Sequence, residues 1–197
     1  MGRADYLVKA CMGLLALVFA AAIPVEASAK IFYSREGAFK LAFPKADKVR
    51  RKHLFVKGDQ RTLIERSCRC RAPAKLLTVY VGERQGSVLG YAYIDTHRVR
   101  TLPETFMVVI DPRGKVSAVH ILAFHEPPEY MPRPGWLARL KGRRARVGGG
   151  KPLAGIAGAT LSATAINTAV RKILTTHAVL RVAPVTPKAG QKVARGR

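Results

Sequence analysis

Two pairs of alternating apolar runs, each pair joined by a tight turn, constrain the fold of this chain more than any other feature. Leu77, Val79 and Val81 alternate with Leu76, Thr78 and Tyr80; a turn follows over residues 82–86, and the extended pattern resumes over 88–95. The second pair runs over 106–110 and 116–124, on either side of Asp111-Pro112-Arg113-Gly114. Alternation on both sides of a short Gly-containing turn is a hairpin pattern. Such strands form a sheet with a face to cover, and two helical segments are available. One spans 135–140; the stronger spans 161–180, where Leu161, Ile166, Ala169, Val170, Ile173 and Leu174 fall along one side. The expected fold class is α+β: a single domain with an antiparallel sheet of about four strands and packed helices. A chain of 197 residues holds one such core and not comfortably two.

The segments flanking this core have a different character. Residues 1–29 read as a signal peptide: Arg3 and Lys9 precede an uncharged apolar stretch over 10–23, and Ala27-Ser28-Ala29 offers small residues for cleavage before Lys30. The apolar stretch is shorter than the roughly 20 residues a spanning helix needs; an uncleaved anchor is the alternative. Residues 30–75 read as a basic N-terminal helical region. Ser34 opens a short helix that Pro44 interrupts, and Asp59 is the expected N-cap of a second over 60–69, with Leu63 and Ile64 as its apolar stripe. Between Lys48 and Lys75 ten basic residues face only Asp59 and Glu65, the pattern of a solvated cationic face. Residues 183–197, rich in Pro, Gly and basic residues, are expected to be a disordered basic tail.

The formal net charge is +23, and the leader contributes none of it, because Arg3 and Lys9 offset Asp5 and Glu26. A field of that size attracts nucleic acid, anionic headgroups or acidic proteins, and export removes nucleic acid from the expected partners. The chain has no Ser-His-Asp order, no HExxH and no Walker loop, so hydrolase chemistry has no support. Cys68 and Cys70 stand one residue apart. A bridge between such close neighbours departs from the usual Cα separation, so free thiols on a helix are expected, with a copper or zinc site using a distant His as the alternative.

The chemistry concentrates between 148 and 170. Gly148-Gly149-Gly150 leads through Gly155-Ile156-Ala157-Gly158-Ala159-Thr160 directly into the long helix. Small residues let a planar ligand or a phosphate approach the backbone, and the N–H groups and positive dipole end of a helix start favour an anion. Thr160 and Ser162 add hydroxyls there, and Arg133, Arg139, Lys141, Arg143, Arg144, Arg146 and Lys151 carry the compensating charge with no acid over 131–160. Spacing alone leaves open a flexible loop with Thr160 as a simple N-cap.

Gly158-Ala159-Thr160-Leu161-Ser162 before an Ala-rich helix resembles the signature of the FMN-binding domain family. That family includes the flavinylated small subunits of Rnf-type and sodium-pumping NADH:quinone reductase complexes. Gly90-Tyr91-Ala92-Tyr93, Asp111-Pro112-Arg113-Gly114 and His125-Glu126-Pro127-Pro128-Glu129-Tyr130 resemble its central hairpins and following Glu-x-Pro turn, and Trp136 and Leu140 fall in its next helix. The likeness covers roughly 76–180 of the chain and implies FMN as the cofactor. It also implies a flavin transferase that joins the phosphate to Thr160. Two positions depart from the family pattern: Ala154 where many members have Asp, and Ala157 where they have Ser or Thr.

The resemblance assigns Thr160 as the attachment point, Gly158 and Ala159 as the close-approach turn, Ser162 as a nearby hydroxyl, and Glu126 with Pro127 as a wall of the flavin site. Tyr91 or Tyr93 would stack on the ring. The resulting expectation is a periplasmic or membrane-associated electron carrier rather than a stand-alone enzyme, meeting an acidic or membrane-bound redox partner. The alternative is a flavin-free basic module that binds anionic envelope polymers or lipid headgroups. His125-Glu126, His97 and Asp95 are candidate acid–base groups, though a strand-end His beside a turn carboxylate is the commoner arrangement.

Overall fold

The computed structural model describes residues 30–99, 101–145, 159–180 and 182. In chain order these form β1 (Lys30–Ile31), α1 (Arg35–Ala42), β2 (Lys48–Phe55), α2 (Gly58–Cys68), β3 (Leu76–Arg84), β4 (Ser87–Arg98), β5 (Pro103–Ile110) and β6 (Val116–Phe124). A 3-10 turn (Pro128–Tyr130), α3 (Pro134–Ala138) and α4 (Thr160–Val179) follow. The leader, the tail and Gly148-Gly149-Gly150 lie outside the described residues. No helix among the described residues is long and apolar enough to cross a membrane.

The hairpin β3–β4 turns on Gln85 and Gly86, both left-handed at φ 48° and 77°. A two-residue turn of that hand matches the twist of the strands it joins. The turn is tighter than the expected 82–86 because Gly82 stays in β3, opposite Gly90. The ring of Phe43 seats on that glycine pair: a Cβ on Gly82 would overlap the ring, and one on Gly90 would meet the Ile110 carbonyl oxygen at 2.7 Å. The second hairpin is closed by Asp111, whose Oδ1 accepts from the backbone N–H of Arg113 and of Lys115, each at 2.9 Å.

The α+β class holds, and the sheet is larger than its two hairpins. All pairings are antiparallel, and the strand order is β1-β6-β5-β4-β3-β2, with six strands. Both added strands lie at the edges. β2 corrects the reading of 30–75 as purely helical: Lys48–Phe55 pairs with β3 along its whole length. Its sequence hides this because both faces are largely exposed, so no apolar alternation is written into it.

The sheet is covered on both faces. Tyr91, Tyr93, Phe106, Val108 and Ile110 pack with Ile166, Val170, Ile173 and Leu174 of α4 and with Trp136 and Leu137 of α3. On the other face Ala92, Met107, Val109 and Leu122 meet Ala38 and Phe43. Burial on both sides explains the unbroken apolar run of β5, and each large side chain so buried contributes on the order of 1.5–3 kcal/mol. Leu161, expected on the buried stripe of α4, is instead 56% exposed in its first turn.

The N-termini of α1 and α2 are each closed by a side chain. Ser34 caps α1 as expected, its Oγ accepting from the Gly37 N–H at 3.2 Å. In α2 the cap position is Lys57, not Asp59; Gln60 reaches back to the Lys57 N–H at 2.9 Å, and Asp59 sits in the first turn, where the helix dipole favours its charge. Of the expected stripe, Ile64 is buried and Leu63 exposed.

Cys68 and Cys70 are joined in a disulfide, which corrects the expectation of free thiols on a helix. The α2 helix ends at Cys68, and Arg69, left-handed at φ 50°, turns the chain back. The Cα atoms consequently lie 5.2 Å apart, within the ordinary range for a bridge.

Candidate functional site

The α4 helix begins at Thr160 with Ala159 in the cap position. An alanine side chain has no acceptor to offer the first-turn N–H groups, so Ala159 does not compete with an approaching anion for them. Thr160 is the first helical residue, which removes the alternative in which it serves as a simple N-cap. Its neighbours divide sharply: Thr160 and Leu161 are exposed, while Ala159 and Ser162 are buried. Ser162 is 1% exposed, and its Oγ has no hydrogen-bond partner among the described residues. A buried hydroxyl without a partner is costly, and this one lies within the first helical turn, where a phosphate or flavin oxygen would satisfy it. Gly158, Ala154 and Ala157 lie outside the described residues.

The course of α4 over the sheet fixes where that start lies. Tyr91, Tyr93, Asp95 and His97 alternate onto the helix-covered face of β4. His177 packs against both tyrosine rings, with centroids 4.9 and 5.9 Å away, and Lys172 reaches Asp95 at 3.1 Å. Moving back along α4 from His177 to Lys172 therefore moves along β4 toward its end, and the helix start points to where β4 gives way to β5. The 3-10 turn that follows β6 also contacts α4.

Three groups populate this end of the sheet. Glu126 is buried, and one of its oxygens accepts from the N–H groups of Thr101 and Leu102, each at 2.8 Å, which ties down the β4–β5 connection. Pro127 is exposed, with φ −51°, and leads into the 3-10 turn. Glu104 is fully buried, its carboxyl 3.5 Å from His97 Nε2. That distance suits charge attraction but is long for a hydrogen bond, and neither Glu104 oxygen has such a partner among the described residues. Burial pushes the Glu104 carboxyl up, and His97 partly opposes the shift.

His125 and Glu126 do not form an acid–base pair. The His125 Nδ1 lies 3.0 Å from the Pro103 carbonyl oxygen, while Glu126 turns to the backbone of Thr101 and Leu102. Asp95 is held by Lys172 rather than by His97. Tyr91, only 2% exposed with its ring on His177, belongs to the core over the C-terminal half of α4 and is not brought to Thr160. Tyr93 is equally buried; its hydroxyl is 2.9 Å from His177 Nδ1, and burial holds that imidazole down to about 4.

Of the basic residues grouped before the helix, Arg143 is brought to α4, its Nη1 donating to Asn167 Oδ1 at 3.3 Å. Lys141 lines a hollow of about 430 Å³ with Phe32, His120 and Leu137, and Arg144 lines one of about 320 Å³ beside the Asp111–Gly114 turn. Arg146 and Lys151 lie outside the described residues. The Glu104–His97 and Tyr93–His177 pairs are the groups that motif reading passes over. Strict alternation in β4 was the available signal for their common face.

The comparisons agree with this geometry. Residues 102–175 match the FMN-binding domain family, a stretch that contains Glu126, Pro127, Gly158, Ala159, Thr160 and Ser162 and leaves out Tyr91. No curated protein matches the chain at a significant level. The match favours flavin binding over the flavin-free alternative, and the Ser162 hydroxyl and small cap residue suit a phosphate at the helix start. Residues 102–175 are thus similar to the FMN-binding domain family, and that likeness indicates FMN as the cofactor.

Proposed function

We propose that the protein is an exported electron carrier whose FMN sits at the start of α4 and is joined through its phosphate to Thr160. The observation that carries this reading is the contrast within one helical turn between the exposed Thr160 and the buried, unpartnered Ser162 hydroxyl. Thr160 is open to a flavin transferase, and Ser162 faces inward with an unused donor. When bound, FMN supplies the one- and two-electron chemistry, while the chain sets its orientation and exposure. Ala159 keeps the approach free of bulk, the helix N–H groups receive negative charge, and Glu126, which fixes the β4–β5 connection, walls the site with Pro127 beside it.

Export is supported by the leader pattern and by the Cys68–Cys70 bridge, which suits an oxidising compartment. The +23 charge favours an acidic or membrane-bound redox partner, and that association weakens as salt rises.

The test is made on protein coexpressed with a flavin transferase. After a denaturing gel the protein band should retain flavin fluorescence, and mass spectrometry should place an FMN adduct on the Thr160 peptide, absent in Thr160→Ala. An adduct on another residue would refute the attachment. Flavin lost to the dye front would leave FMN bound reversibly at the same helix start.

A further inference from the structure

We propose that the Cys68–Cys70 bridge is a thiol–disulfide exchange site, attacked at the Cys70 sulfur by a dithiol carried on an acidic protein surface. It stands independently of where the flavin is attached.

The bridge closes a loop with a single residue between its ends, so it removes little freedom from the unfolded chain. The segment it spans is also held without it. The Arg61 guanidinium donates to the Pro73 carbonyl, Glu65 Oε1 accepts from the Ala72 N–H at 3.1 Å, and Ile64 packs with Val56 and Ala72. A bond that the local fold does not require is free to open and close without unfolding the domain.

The two sulfurs are not equivalent. Cys68 is 1% exposed and Cys70 is half-buried, so an incoming thiolate reaches Cys70. Cys68 Sγ lies 3.4 Å from the Cys70 carbonyl oxygen, an acceptor for the thiol that forms when it leaves. Arg66, Arg69 and Arg71 are exposed around the bridge and favour both an attacking thiolate and an acidic surface behind it.

In the first step a partner thiolate attacks Cys70 Sγ, the Cys68–Cys70 bond breaks, and Cys68 leaves as a thiolate that takes up a proton. In the second, the partner's other thiol, having lost its proton, attacks its own sulfur in the mixed disulfide and releases Cys70 as a thiolate. The bridge is reduced by two electrons, and the partner dithiol becomes a disulfide.

The full chain is equilibrated with reduced and oxidised glutathione, quenched in acid and alkylated, and peptides containing residues 68 and 70 are weighed. The expected result is graded, reversible reduction with the far-ultraviolet circular dichroism unchanged. Cys68→Ser should then capture glutathione on Cys70, and Cys70→Ser should leave Cys68 unmodified unless denaturant is added. A bridge that opens only in denaturant, or a domain that loses its helices as the bridge opens, overturns the exchange site. Capture by Cys68 in place of Cys70 overturns the assignment of the attacked sulfur.

Discussion

The phenol oxygen of Tyr93 and Nδ1 of His177 lie 2.9 Å apart, a buried hydrogen bond that joins β4 to the C-terminal half of α4. Burial holds His177 down to about 4, against an ordinary value of 6.5, while the Asp111 charge opposes this weakly. The unfolded chain therefore binds a proton first. The contribution is fully present above pH 6.5 and is lost as pH falls from there through about 4, amounting to about 3 kcal/mol. Urea titrations across that window should show the decline, and NMR titration of the His177 ring should give its depressed midpoint. Tyr93→Phe should cost about 1–2 kcal/mol at neutral pH by leaving the imidazole without its partner.

Phe43 and the Gly82–Gly90 pair form one packing unit, so their substitutions should not add. Phe43→Ala is expected to cost about 3–5 kcal/mol. Gly82→Ala should cost about 1–3 kcal/mol by forcing the ring aside, and most of that cost should vanish in the Phe43→Ala background. Gly90→Ala should keep its penalty in both backgrounds, because its new methyl meets the Ile110 carbonyl oxygen, which no side-chain truncation removes. Chemical denaturation of the single and double variants measures each term.

Ser162→Ala separates stability from cofactor binding. Deleting a buried hydroxyl that has no partner should stabilise the flavin-free protein by about 1 kcal/mol. The same change removes a donor from the helix start, so FMN should be held less tightly. Calorimetric melting of the flavin-free protein and fluorescence titration with FMN should move in opposite directions; lost stability with unchanged FMN affinity would place the hydroxyl in the folding core alone.

Glu104 has a carboxyl raised by burial, so its sign is opposite to that of a salt-bridged acid. The stability associated with its protonated form is full at low pH and is lost as pH rises through the raised value in the folded protein. Glu104→Gln keeps the shape and cannot ionise. It should flatten this part of the pH profile and raise stability on the alkaline side by about 1–3 kcal/mol. Paired denaturation curves at acidic and alkaline pH check this.

Hairpins and the long helix were legible because each carries a local signature: alternation about a left-handed turn residue, or an amphipathic stripe. β2 was not, because an edge strand exposed on both faces has no apolar period to read. The Cys68–Cys70 bridge was missed because its feasibility depends on the φ of Arg69, a backbone choice no spacing reports. Tyr91 resembles a ligand-facing aromatic in its motif, yet its position in β4 turns it under α4 onto His177. The burial of Ser162 without a hydrogen-bond partner among the described residues emerges only once the helix is packed.

β2 is the outermost strand at one edge of the sheet among the described residues and carries Lys48, Arg50, Arg51 and Lys52, of which Arg50 is matched by Glu83. An open edge is a template on which another copy can add a strand and begin an aggregate. Two such edges meeting would bring their lysines and arginines to about 5 Å, the spacing of paired strands, and the repulsion opposes contact before any backbone bond forms. The same residues that give the surface its sign thereby guard against self-templated growth, and that protection is weakest where salt or a polyanion screens them.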